Sequence, residues 1–193
     1  MVTVPALPIL IPLGLVLMVV SWVAIGRRGA LTPWRLGATW VAGWYAVAVV
    51  GATFLPLELS WGPAEAELVY PHLGGPQTHR IILVPLFTMR PTDFVLNIVM
   101  LLPLALLLRL VFGIEDRHRV VRAGILTSLA IETIQAVLVL TVHGNRWADI
   151  NDLTSNTLGT VAGFLVLRRL LRVPAVQRLI DRATVPAGPP VLV

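Results

Sequence analysis

Long apolar runs dominate the chain, and the polar residues that interrupt them are few enough to follow one by one. Residues 4–25 and 36–57 carry no charge. A third run, 94–113, meets its only charge at Arg109, close to its end, and a fourth, 123–142, holds one charge, Glu132. A fifth, 153–171, is uncharged as far as Leu167 and then reaches Arg168 and Arg169, whose side chains must snorkel to the interface. A helix crosses the hydrocarbon core of a bilayer with about 20 apolar residues. The pattern therefore predicts an all-α, polytopic transmembrane helical bundle of about five spans, formed by residues 1–172. Between the second and third runs lies a Gly- and Pro-rich stretch with Glu65 and Glu67. It is followed by a short apolar segment around Pro85 that cannot span and reads as interfacial or re-entrant. Residues 173–193 read as a cytoplasmic tail. An amphipathic piece there would turn Val176, Leu179 and Ile180 to lipid and Arg178 and Arg182 to water, ahead of a disordered Pro-rich end.

Small residues mark helix contacts. Ala38, Ala42 and Ala46 recur at i, i+4, i+8 in the second run, and Gly159 and Gly163 do so in the fifth. Such stripes let backbones approach closely in lipid, and packing within one chain is the first expectation for both.

Composition strengthens the membrane reading. Of 193 residues, 56% are hydrophobic and 13% charged, with a mean hydropathy of +0.84, whereas a soluble domain is about 25% charged. The balance is basic, 15 bases against 10 acids, and every base is arginine. These arginines flank apolar runs, which argues for membrane flanks rather than a nucleic-acid partner. Arg27, Arg28 and Arg35 follow the first run; Arg117, Arg119 and Arg122 separate the third from the fourth; Arg168, Arg169, Arg172, Arg178 and Arg182 close the fifth. Positive charge collects on the cytoplasmic side, so the N-terminus is expected outside and the C-terminus in the cytoplasm. There is no cysteine, hence no disulfide framework and no thiolate metal site. His72, His79 and His143 lack tight ligand spacing, and neither a metal nor a cofactor is expected.

The candidate chemistry lies in polar residues that an apolar bundle does not need. Asp93 and Asn97 stand i, i+4 at the start of the third run, and Glu132 and Gln135 stand i, i+3 in the fourth. Arg146, Asp149, Asn151 and Asp152 crowd the connection to the fifth, and Asn156 continues the face of Asp149 and Asp152. On this spacing, Asp93, Asn97, Glu132, Gln135, Arg146, Asp149, Asp152 and Asn156 could line one outward-facing polar cavity, with Arg146 the counter-ion of Asp149 or Asp93 and Glu132 and Gln135 its floor. Singly, most have plainer roles: Asp93, Asp149 and Asp152 as helix caps, Arg146 as an interface anchor, and Asn97 and Asn156 as interhelical hydrogen bonders. Glu132, nine residues into its run and about 13 Å deep at 1.5 Å per residue, is too far from either end to cap or snorkel. A carboxylate at that depth costs about 2.5–3.5 kcal/mol unless paired, hydrated or protonated.

The segments RIILVPLFTM, DFVLNIVMLLPLALLL, IETIQAVL and GNRWADINDLTSNTLGTVAGF together resemble the VanZ-like membrane family, over residues of about 80–166. The shared pattern is a Pro-containing apolar segment, D-x-x-x-N before a Pro-containing run, E-x-x-Q, and R-x-x-D-x-x-D-x-x-x-N-x-x-G. Ile82 and Leu86 depart from it, standing where the family usually has Asn and Phe. The resemblance implies a multi-pass protein of the bacterial plasma membrane and cell envelope. The family's namesake is a determinant of low-level teicoplanin resistance, and no biochemical activity follows from the resemblance.

Three functions stay open from the sequence. The first is a non-enzymatic cavity binding an amphiphile, with membrane lipids, a lipid-linked cell-wall intermediate or a lipoglycopeptide as partner. The second is a membrane enzyme acting on lipid-linked phosphate or acyl groups through Glu132, Asp149 and Arg146; no activated nucleophile supports it. The third is a structural or partner-binding role.

Overall fold

The computed structural model describes residues 2–59, 81–82, 90–142, 144 and 146–186. Among the described residues seven helices run in the order α1 (Leu7–Arg27), α2 (Pro33–Phe54), α3 (Pro91–Leu101), α4 (Leu104–Phe112), α5 (Arg117–Val142), α6 (Ile150–Leu170) and α7 (Pro174–Ala183). Two short strand pairs accompany them. β1 (Val2–Val4) runs antiparallel to β2 (Leu57–Leu59), and β3 (Ile81–Ile82) runs parallel to β4 (Ala148–Asp149). The segment expected to be re-entrant lies mostly outside the described residues, as do His72, His79, His143, Glu65, Glu67 and Leu86. Ile82 is described, in register with Asp149.

Local chemistry sets the helix limits. Thr32 accepts the Arg35 N–H at 3.3 Å and Pro33 opens α2, a pairing of N-cap and Pro that suits a helix start. Pro103 divides the third apolar run into α3 and α4, because proline has no N–H to give Val99 and crowds that carbonyl. Gly113, at φ 64°, ends α4 in a left-handed cap whose N–H bonds the Arg109 carbonyl at 2.9 Å.

The chain is a polytopic membrane bundle. Four segments, α1, α2, α3 with α4, and α5, are long and apolar enough to cross a bilayer. The fifth predicted span, α6, has 21 residues but is not among them. Asn151, Ser155, Asn156 and Thr160 are buried in it, against protein rather than lipid.

The core explains how α6 tolerates this polarity. Its glycines meet backbone: a Cβ on Gly159 would strike the Ile98 carbonyl, and one on Gly163 the Leu102 carbonyl. On the adjoining face, Thr160 packs on Gly124 of α5, where a Cβ would sit 2.7 Å from it, and Ser128 donates to the Leu153 carbonyl at 3.3 Å. α6 is thus wedged between α3 and α5. The alanine stripe of α2 also works within the chain: Ala38 and Ala42 pack on Leu107, Leu110, Leu167 and Ile180, while Ala46 is exposed.

Helix α7 departs from expectation. Val176 and Ile180 face α4 and α6 rather than lipid, and only Leu179 of the expected trio is left exposed. The Val185 N–H bonds the Leu110 carbonyl at 2.7 Å, and Arg35 Nε donates to the Thr184 carbonyl at 3.1 Å.

Candidate functional site

Helix α6 and β4 carry the centre of the polar region. Asp149 is the N-cap of α6, accepting the Asn151 N–H and the Asn151 side-chain amide, each at 2.8 Å. One turn on, Asp152 lies beside the Asn97 side chain of α3. From α5, Glu132 Oε2 accepts the backbone N–H of Asp149 at 2.8 Å. Asp149 and Asp152 lie within Coulombic reach of Glu132, and Asp93 within reach of Asp152. Asp93 is exposed in the first turn of α3, 3.8 Å from Arg90, whose guanidinium also lies over the Trp147 ring at 6.0 Å. Three helices therefore bring Asp93, Asn97, Glu132, Asp149 and Asp152 together.

The role found for Glu132 corrects the sequence argument. Capping was denied to it because it lies far from the ends of its own helix. It serves the start of a different one, α6, by accepting the N–H of its N-cap residue Asp149. The N-terminus of α6 lies level with Glu132, ten residues or about 15 Å before the end of α5. Gln135 meets the last turn of α2 near the same level, so Glu132 stands beside helix ends.

Arg146 and Gln135 are turned to the end of α2. Arg146 donates to the carbonyls of Leu55, at 2.6 Å, and Pro56, at 3.4 Å, just past the end of α2. Gln135 Nε2 donates to the Thr53 carbonyl at 3.1 Å. The last carbonyls of a helix lack intrahelical donors; Gln135 supplies one at Thr53, and Arg146 serves the carbonyls that follow the helix. Among the described residues Arg146 forms no ion pair with Asp149 or Asp93, so the expected counter-ion is not where the spacing argument put it. Asn156 is 1% exposed on the α6 face that continues Asp152 toward Gly159, and its Oδ1 has no partner among the described residues.

The arrangement is electrostatically one-sided. Four carboxylates share a small region whose nearest described cation is Arg90, at the exposed rim. Among the described residues no group of three or more His, Cys, Asp or Glu is arranged to hold a metal ion. Asn151, one of the polar residues crowding the connection before α6 but not among the expected cavity residues, is 4% exposed and bonded to Asp149. Its position two residues after an N-cap aspartate, within reach of that side chain, is the signal that ties it to the cluster.

A family model described as VanZ/LLP1 matches residues 42–172, which include every residue of this cluster and both residues that close α2. No curated protein and no solved structure matches the chain.

Proposed function

The chain belongs to the VanZ/LLP1 family, and on that premise we propose that it is a cell-envelope protein of the bacterial plasma membrane whose carboxylate cluster binds the head group of an amphiphile. The ligand class is a lipid-linked cell-wall intermediate or a glycopeptide, which would link the protein to teicoplanin-type resistance. Arginine placement supports an outward-facing cluster, with the N-terminus outside and the C-terminus in the cytoplasm.

One observation carries this assignment. Glu132, Asp149 and Asp152 converge from α5, β4 and α6 with Asn97 of α3 against them, and Arg146 is turned to the α2 carbonyls instead of neutralising them. A complementary head group donates hydrogen bonds or carries an amine, and the apolar surfaces of α3 and α5 take its chain. The same geometry weakens an enzymatic role, because Arg146 does not face the carboxylates it would have to assist.

Binding of teicoplanin and of a lipid-linked precursor to the purified full chain tests the proposal by calorimetric titration. Asp152→Asn removes one charge and preserves shape. A hydrogen bond to a charged group contributes about 1.5–3 kcal/mol, so the variant should bind on the order of tenfold to a hundredfold more weakly. Absence of binding by the wild type, or equal affinity for the folded variant, would overturn the assignment.

A further inference from the structure

The opposite end of α5 carries a second amphipathic surface, independent of the carboxylate cluster. Arg117, His118 and Arg122 are exposed there, and below them on the same face lie Val121, Ile125 and Leu126. Together these six residues line an open cleft of about 500 Å³. The apolar part continues to Leu129, with Ile125, Leu126 and Leu129 at 42%, 57% and 48% exposure. From Arg117 to Leu129 the helix rises about 18 Å, close to the depth of one leaflet of a bilayer whose core is about 30 Å thick.

The positive charge at the top of this face has no ion-pair partner among the described residues. Of the two acids just before α5, Glu115 lies 3.2 Å from Arg109, and Asp116 caps the first turn by accepting the Arg119 N–H at 2.9 Å. Among the described residues neither Arg117 nor Arg122 forms an ion pair. Other arginines at this end are committed to the fold, Arg35 to the Ala30 and Thr184 carbonyls and Arg109 to Glu115 and Asp181.

We infer that the arginine end of α5 is a binding site for an anionic phospholipid. Its phosphate lies between the Arg117 and Arg122 guanidinium groups, and an acyl chain runs along Val121, Ile125 and Leu126. Guanidinium pairs suit phosphate because their planar donors match its oxygens, and basic residues at a membrane surface attract anionic head groups. A lipid meets both parts of the cleft, whereas a free phosphate meets only the upper one.

Native mass spectrometry of the full chain in detergent, titrated with phosphatidylglycerol or with phosphatidylcholine of the same acyl chains, tests the site. The wild type should favour phosphatidylglycerol on the order of tenfold, from two arginines acting at the surface. Arg117→Gln with Arg122→Gln should abolish that preference, while Arg27→Gln with Arg28→Gln, which removes equal charge from the same end, should leave most of it. Equal loss in both double variants would mean a diffuse basic rim and overturn the site, as would a wild type without preference. A competition on the wild type needs no variant: glycerol 3-phosphate at matched concentration should not displace the lipid, and displacement would mark a bare phosphate site instead.

Discussion

At the scale of single residues, the largest reassignment concerns Arg146. Its spacing from Asp149 suggested a counter-ion, yet its donors meet the carbonyls of Leu55 and Pro56. Sequence spacing could identify it as a polar residue near the membrane surface, but not that α2, some 90 positions earlier, would present unpaired carbonyls to it. Arg146→Ala leaves the half-buried Leu55 carbonyl without this donor, a loss of about 1 kcal/mol. The variant should melt earlier in detergent while a stable fraction keeps wild-type affinity for any ligand of the carboxylate cluster. The reverse result, unchanged melting with lost binding, would return Arg146 to the site. Glu132 teaches the same lesson. Its depth in its own helix was readable from the chain, but the neighbour that makes a carboxylate useful there is the backbone of Asp149, delivered by a connection whose path the hydropathy pattern does not encode.

At the scale of elements, the contact of α6 with α3 decides whether the cluster exists, because Asn97 and Asp152 meet only if those helices are closely apposed. The glycine stripe was legible in the sequence; its partner was not, since Pro103 splits the opposing run and the carbonyls of Ile98 and Leu102 border the break. Two substitutions of identical chemistry separate close approach from helix propensity. Gly159→Ala places a methyl group into the Ile98 carbonyl, and overpacking of this kind costs about 1–3 kcal/mol. Gly37→Ala, on exposed α2 surface with nothing within 4 Å of the added Cβ, has no clash and gains up to about 1 kcal/mol of helix propensity. Thermal melts in detergent should move in opposite directions for the two variants. A shared direction would mean that the α3–α6 approach is looser than the backbone contact indicates.

For the molecule as a whole, the bundle was legible because lipid imposes a length and a polarity on every span, and both can be counted along a chain. What the count missed is how the last described segment completes the arginine-rich end. Amphipathicity predicted a helix in α7 and assigned its apolar face to lipid, because a lone helix offers no view of what else could cover that face. In the structure Ile180 joins Leu107, Leu110 and Leu167, Asp181 pairs with Arg109 at 3.0 Å, and Val185 packs with Ile25 and Ala30. The segment after α6 therefore ties α1, α2 and α4 together at one end, as the β1–β2 pair ties the start of α1 to the end of α2 at the other. Lipid docking and internal docking of α7 predict different costs for two neighbouring residues. If the helix lay on lipid by the face first assigned to it, Leu179→Ala and Ile180→Ala would be equally mild. With Ile180 8% exposed and Leu179 48% exposed, Ile180→Ala should lower stability by about 2 kcal/mol or more and Leu179→Ala by no more than about 0.5 kcal/mol. Melting both variants in the same detergent compares them directly; equal shifts would detach α7 from the bundle and leave the Asp181–Arg109 pair as a surface contact of little consequence.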